Sequence, residues 1–194
     1  MPRTVRRADR TQEVLWRRQP DLTVVMENIH DPHNVSAVFR SADAAGVLRV
    51  HLLYTAEKFP RIGAKSSSSA HKWLERQKHA SVEACYAALR AEGFRVLASR
   101  VAEGVPSLYD LDLTVPAALV FGNEHRGVSE EAAEAADGLF VIPMMGMIRS
   151  LNVSVACAVT LYEALRQRMR RGFYDAPRLP AGTREALLQE WLRK

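Results

Sequence analysis

The sequence predicts an α/β fold, a parallel sheet flanked by helices. Two observations carry that expectation. Short β-branched, apolar runs alternate with stretches whose apolar residues recur at helical spacing, and such alternation is the mark of parallel βαβ units. Several of these runs end in polar or glycine-containing loops, which in an open α/β sheet is where ligands sit. A third observation sets the scale. The chain has 194 residues, 47% of them hydrophobic, enough for one domain with a sizeable core and terminal extensions.

Taken in order, residues 5–18 are compatible with a helix but mostly polar, so they are expected to need a partner or RNA to become ordered. Residues 22–26 form an apolar strand. A loop over 28–34 leads to a helix over about 35–45, with Asn34 as its cap and Gly46 as its stop. A second strand covers 47–53. Residues 54–72 make a loop with serines at 66–69; it is too long for mere connection, so it is expected to be mobile and functional. A short strand is placed near 73–76, a helix over 81–92 closed by Gly93, and strands over 94–98 and 117–121. A short helix starts from Ser129, and the last strand covers 139–142. The long helix 153–171 follows, capped by Asn152, with Val155, Val159, Tyr162 and Met169 as its buried stripe. Thr183 is expected to cap a final helix whose apolar face is Leu187, Leu188 and Trp191. No internal repeat is visible. The expected division is a basic extension over 1–20, a domain over 21–172, and a C-terminal extension with a short helix over 173–194.

The formal charge of +5 is unevenly spread. Residues 1–20 carry six arginines against two acids, and residues 160–194 carry eight basic side chains against four acids, which leaves the middle of the chain at −3. Basic ends on a mildly acidic body suit arms that grip a polyanion, or simply solvated ends. The two cysteines, Cys85 and Cys157, lack metal-ligand spacing and read as thiols in a reducing compartment, so a cytoplasmic location is expected. No His-x-x-x-His pair is present, so no metal is expected. There is no apolar run of membrane-spanning length, and the arginine-rich start has no apolar signal region.

The most informative segment is residues 142–154, Ile-Pro-Met-Met-Gly-Met-Ile-Arg-Ser-Leu-Asn-Val-Ser. An apolar strand, a Met- and Gly-containing loop and a polar helix start make a ligand pocket at the carboxyl end of a sheet, or else an ordinary strand-to-helix connection. The wording goes further. Residues 142–159, IPMMGMIRSLNVSVACAV, resemble the third motif of the SpoU branch of the SPOUT RNA 2′-O-methyltransferases. Residues 28–40, NIHDPHNVSAVFR, resemble the first, in which Asn34 is followed six residues later by Arg40. Residues 119–129, LVFGNEHRGVS, resemble the second. The motifs fall in the family's order, and the resemblance runs from about residue 20 to 175.

The resemblance implies a C-terminal deep trefoil knot, an exception to the rule against knotted chains. It implies S-adenosylmethionine as methyl donor, bound in the knot, and a homodimer whose subunits share each active site. Within the family the likeness is nearest the members that methylate a D-loop guanosine, guanosine 18, of tRNA. Relatives acting on the tRNA wobble nucleotide or on ribosomal RNA are the near alternatives, and a non-catalytic RNA-binding protein of this fold is the distant one. The basic extensions favour the D-loop reading.

Site residues follow from the motif positions. Arg40 stands on the ribose side, reaching back toward Asn34; it keeps its proton and so is better suited to positioning than to acting as a base. Glu124 orients Arg40 or faces the cationic donor. Ser150 and Asn152 contact the substrate, or only cap the helix. Ser99, Gly122, Asn123, Glu124, Ile142 and Leu151 match donor-binding positions, Asn123 through its backbone alone. Gly122 and Gly127 permit tight turns and close approach. Arg7, Arg10 and Arg18 match basic positions of the N-terminal extension, and Arg166 and Arg168 continue the helix that starts in the site; all five are expected to touch RNA.

Overall fold

A computed structural model describes residues 3–60 and 70–194. The serine run 66–69, expected in a functional loop, lies outside the described residues.

Six strands form one parallel sheet: β1 (Leu22–Glu27), β2 (Arg49–Leu53), β3 (Glu75–His79), β4 (Arg95–Ser99), β5 (Ala117–Phe121) and β6 (Gly138–Phe140). Their spatial order is β3-β2-β1-β5-β4-β6. The predicted α/β class is therefore observed. Every residue of β1 and β5 is buried, because helices cover both faces. Alternate residues feed two layers. Val24 and Met26 join the layer under helices α2 (Pro32–Ala44) and α5 (Val153–Arg170). Val25 joins the layer under α3 (Val82–Ala91) and α4 (Glu130–Ala135).

The helix starts follow capping chemistry, with two corrections. Ser81, Ser129 and Asn152 accept from the first-turn amides of α3, α4 and α5. Asn34, expected as the cap of α2, lies inside that helix. Pro32 has the fixed φ that suits a first helical position, so the helix starts earlier and Asp31 caps it by accepting from the His33 amide. Thr183, expected as the last cap, lies within the first turn of α6 (Ala181–Leu192), which has no side-chain cap.

The buried stripe of α5 is also corrected. Cys157, Thr160, Leu161, Ala164 and Arg168 face inward; Val155, Tyr162 and Met169 are 46%, 54% and 60% exposed. Val159 packs partly on the core. The inner face mixes small residues with Leu161 and Arg168, and Tyr162 and Met169 are left outside.

Helix α1 (Arg3–Trp16) is ordered by the chain itself. It packs along α6, and Leu15, Leu48, Leu179, Leu187 and Trp191 form a third apolar cluster. Two fully buried arginines fasten this corner. Arg18 donates to the Asp43 carboxylate (2.6 Å) and to the carbonyls of Val47 (2.7 Å) and Trp73 (3.1 Å), with the Trp191 ring beside it. Arg168 donates to the Asp21 carboxylate (2.6 Å), to Gln19, and to the carbonyls of Leu113 and Val115. Both were expected to touch RNA. Neither exposes any surface, and each guanidinium is committed to internal acceptors, so their place in this chain is structural. Among the described residues no helix is long and apolar enough to cross a membrane.

Candidate active site

The three sequence motifs converge at the carboxyl ends of β1, β5 and β6. Asn28, just past β1, adopts φ 50°, a conformation asparagine tolerates better than most residues. Its side-chain oxygen accepts from the amides of Thr55, Ala56 and Glu57 at 3.0–3.1 Å. Its carbonyl accepts from the side chain of buried Asn123 at 2.8 Å, whose own oxygen caps the turn by accepting from the His125 amide. The side chain of Asn123 thus ties the first motif to the second, where the sequence pointed only to its backbone.

Glu124 is the hub. Its carboxylate accepts from the amides of His30 and Asp31, both at 3.0 Å, and from the Asn34 side chain at 2.9 Å. Burial pushes its pKa up, but the hydrogen bonds from Asn34, His30 and Asp31 outweigh that, and the carboxyl group lies below its ordinary range. The Asn34 oxygen in turn accepts from the Asn152 side chain at 3.0 Å, and the Asn152 oxygen accepts from Ser154. A continuous hydrogen-bonded chain, Glu124–Asn34–Asn152–Ser154, therefore joins all three motifs.

Arg40 is outside that chain. Six residues along a helix is about 240° of turn, so it projects from a different face of α2 than Asn34, whose amide is already occupied. The Arg40 side chain is exposed, and no hydrogen bond or ion pair joins it to another described residue. It lines a separate groove of about 480 Å³ with Ala37, Ser41, Trp73 and Tyr162. The expectations that it reaches Asn34 and is oriented by Glu124 are not met within one chain.

Beside the network lies a cleft of about 650 Å³, within the usual range for small-molecule sites. Ser99, Gly122, Asn123, Glu124, Ile142, Ser150 and Leu151 all line it, so the structure gathers every residue expected to hold a donor. The 122–127 loop folds hard back on itself. A Cβ on Gly122 would stand 2.1 Å from the Gly127 carbonyl, and Gly127 itself has φ 70°; glycine is required at the first by space and favoured at the second by conformation. Arg100 and Glu130 also line the cleft and pair at 2.6 Å. Neither was singled out from sequence, since their 30-residue separation carries no local signal. Ile142, Val153 and Ala156 add apolar surface to the lining of the cleft.

Residues 21–162 match the SpoU rRNA Methylase family. The chain belongs to the SpoU family. A Thermus thermophilus relative named tRNA (guanosine(18)-2′-O)-methyltransferase is 46% identical over 99% of this chain and 98% of its own length. Among solved SpoU structures, the A. aeolicus TrmH/SpoU tRNA modifying enzyme superposes with a TM-score of 0.92 at 37% identity, covering 98% of this chain and 96% of that one. The methyltransferase AviRb from Streptomyces viridochromogenes, in complex with the cofactor AdoMet, gives a TM-score of 0.70 at 29% identity over 78% of this chain and 62% of its own.

Of the remaining basic residues, Arg7 and Arg10 are exposed on α1; Arg7 donates to the Trp191 carbonyl at 3.3 Å and Arg10 pairs with Glu13 at 2.6 Å. Arg166 is half-exposed but held by Glu163 through two bonds of 2.7 and 2.8 Å.

Proposed function

We propose that this chain methylates the 2′-hydroxyl of guanosine 18 in the D-loop of tRNA, using S-adenosylmethionine. The observation that carries the reading is the Glu124–Asn34–Asn152 network bordering a donor-sized cleft, in a SpoU member that aligns end to end with a relative named for that reaction.

The donor supplies an electrophilic methyl group on a sulfonium sulfur. Ser99, Gly122, Asn123, Ile142 and Leu151 enclose the space that would hold it. Glu124 fixes the start of α2 against the second motif, and Asn152 fixes the third motif against both. Ser150, exposed at the rim of the cleft, is placed to meet the nucleotide. Arg40 holds the ribose-phosphate and, by its positive charge, favours loss of the hydroxyl proton to phosphate or solvent. Holding the two reactants in line accounts for much of the acceleration such a site can supply.

The same reading includes a homodimer with shared sites. It is supported by the separation of Arg40 from the cleft of its own chain, and by the outward Met145, Met147, Ile148, Val155 and Tyr162, an apolar exposure that a monomer rarely tolerates. It also includes a C-terminal trefoil knot around the 122–127 and 142–152 loops, a catalytic domain over 21–172 with RNA-binding extensions at 1–20 and 173–194, and a cytoplasmic location suited to two free thiols. Arg7, Arg10 and Arg166 remain the tRNA-contacting candidates.

The test is product identity. The protein is incubated with methyl-labelled donor and a tRNA transcript, and the digest is analysed by mass spectrometry. A 2′-O-methylguanosine from the D-loop is expected. A methylated wobble nucleotide or ribosomal RNA would move the protein to a sister activity, a methylated base would overturn the role of Arg40, and no incorporation at all would leave an RNA-binding protein.

A further inference from the structure

A second cluster of reactive side chains lies on the opposite face of the sheet, under α3. His51 alternates along β2 with Val50 and Leu52, which belong to the α2/α5 layer, so its ring points to the other side. His79 ends the neighbouring strand β3, and Cys85 sits on the inner face of α3. The His51 Nδ1 and His79 Nε2 atoms are 2.9 Å apart. One ligand atom from each of the two rings and the Cys85 sulfur all lie within 4.8 Å of one another. The methyl-transfer mechanism uses none of the three.

From this geometry we infer that His51, His79 and Cys85 form a site for a soft transition-metal ion, zinc(II) under reducing conditions. Zinc takes nitrogen at ~2.0–2.1 Å and thiolate at ~2.3 Å, so tetrahedral binding needs nitrogens about 3.4 Å apart and nitrogen to sulfur about 3.6 Å. The rings must therefore part by about half an ångström, and the Cys85 sulfur, within 4.8 Å of both nitrogens, must close on them by up to about 1.2 Å; both are side-chain adjustments. Two imidazoles and one thiol, with no carboxylate, select against calcium and magnesium. Three protein ligands leave a fourth position for water, and the half-buried His79 opens the site to solvent. Burial, with the neighbouring His79 and Arg49, holds His51 at about 3, so its ring is uncharged at neutral pH. Burial and the nearby Glu27 carboxylate raise the Cys85 thiol to about 12, a cost that the metal–thiolate bond must offset. Binding would form a metal–sulfur bond, release the thiol proton to solvent, and shift the proton held between the two rings to the far nitrogen of the ring that carries it. The ion would clamp β3, an edge strand of the sheet, to β2 and α3. Spacing in the sequence hides this set, because its members lie on three elements.

The test uses the full chain stripped with chelator and titrated in separate samples with zinc(II) and with cobalt(II), whose thiolate charge-transfer absorption reports sulfur coordination. One ion per chain and a clear charge-transfer band are expected. His79→Gln and Cys85→Ser should each weaken binding by at least roughly tenfold, the low end of what loss of an outer-shell partner alone does, and Cys85→Ser should abolish the band. Cys157→Ser, on the other face, should keep both. His79 is half-buried, so His79→Gln keeps the test sound should Cys85→Ser fold poorly. Absence of the band in the wild-type chain, or unchanged affinity in His79→Gln, overturns the proposal.

Discussion

Replacing Glu124 by Gln removes one charge and one acceptor while keeping the shape. In the structure Oε1 takes both the Asp31 amide and the Asn34 side chain, and Oε2 takes the His30 amide. The amide of Gln can keep the first pair, but it then turns an N–H group toward the His30 N–H. The lost charged bond is worth ~1.5–3 kcal/mol, and weakening the other two from charged to neutral adds ~0.5–1 kcal/mol each. The His30 bond is exposed, so water restores part of the loss, and the expected destabilisation is about 2–3 kcal/mol. The pH dependence follows from the lowered folded-state pKa. Stability from the Glu124 carboxylate is present above its ordinary value of 4.5 and is lost as pH falls through the lower folded value. The gap between wild type and Glu124→Gln should therefore be widest at neutral pH and close in acid. Urea unfolding at fixed protein concentration, at neutral pH and well below pH 4.5, measures both gaps, and methyl incorporation should fall in parallel because the first motif is no longer anchored. Equal midpoints at neutral pH, or a gap that persists unchanged into acid, would refute the anchoring argument.

Arg40→Ala should abolish methyl transfer with donor affinity, measured by calorimetry, nearly intact, since Arg40 lies apart from the cleft. Arg168→Met should destabilise the fold by about 2–3 kcal/mol, because the carbonyls of Leu113 and Val115 lose their donor while Asp21 keeps Arg178 as a partner; chemical denaturation reads this. Changing Arg7 and Arg10 together to Ala should leave stability within about 1 kcal/mol, since Arg10 pairs on the surface and Arg7 makes a single long bond to a carbonyl, yet lower the log–log salt slope of tRNA binding by about 0.7–0.9 per lost phosphate contact; Arg166→Ala should lower the slope too, but also costs stability because it strips the buried Glu163 of its cation. Gly122→Ala should prevent folding or donor binding, whereas Gly146→Ala, with nothing within 4 Å of its added carbon, should keep the melting temperature. Light scattering should give a mass near twice 21.7 kDa, and an active monomer at assay concentration would contradict the shared site.

The strands were legible because apolar runs such as 22–26 and 117–121 have no other stable place than a covered sheet. The phase of α5 was not, because the helix carries apolar residues on two faces and periodicity cannot say which one meets the sheet. Asn34 is a good cap by composition, but Pro32 two residues earlier settles where α2 begins. Arg18 and Arg168 read as solvated charges because their acids, Asp43 and Asp21, are 25 and 147 residues away. In the site, motif wording named Asn34, Glu124 and Asn152, yet which of them bonds which is decided by contacts spanning 90 and 118 residues. Asn28 left a faint trace in its motif position, and its role emerged only with its positive φ.

The docking of α1 on α6 sets a timetable for synthesis. Some 165 residues lie between Trp16 and Ala181, and at roughly 5–20 residues per second the first helix waits about 8–33 s for its partner. During that interval Leu15 and the buried guanidinium of Arg18 have no Trp191 to meet. A more apolar helix would be an aggregation hazard on the ribosome. The polar composition of residues 3–16 lets it stay solvated until the last helix arrives, so the corner closes after the sheet rather than before it.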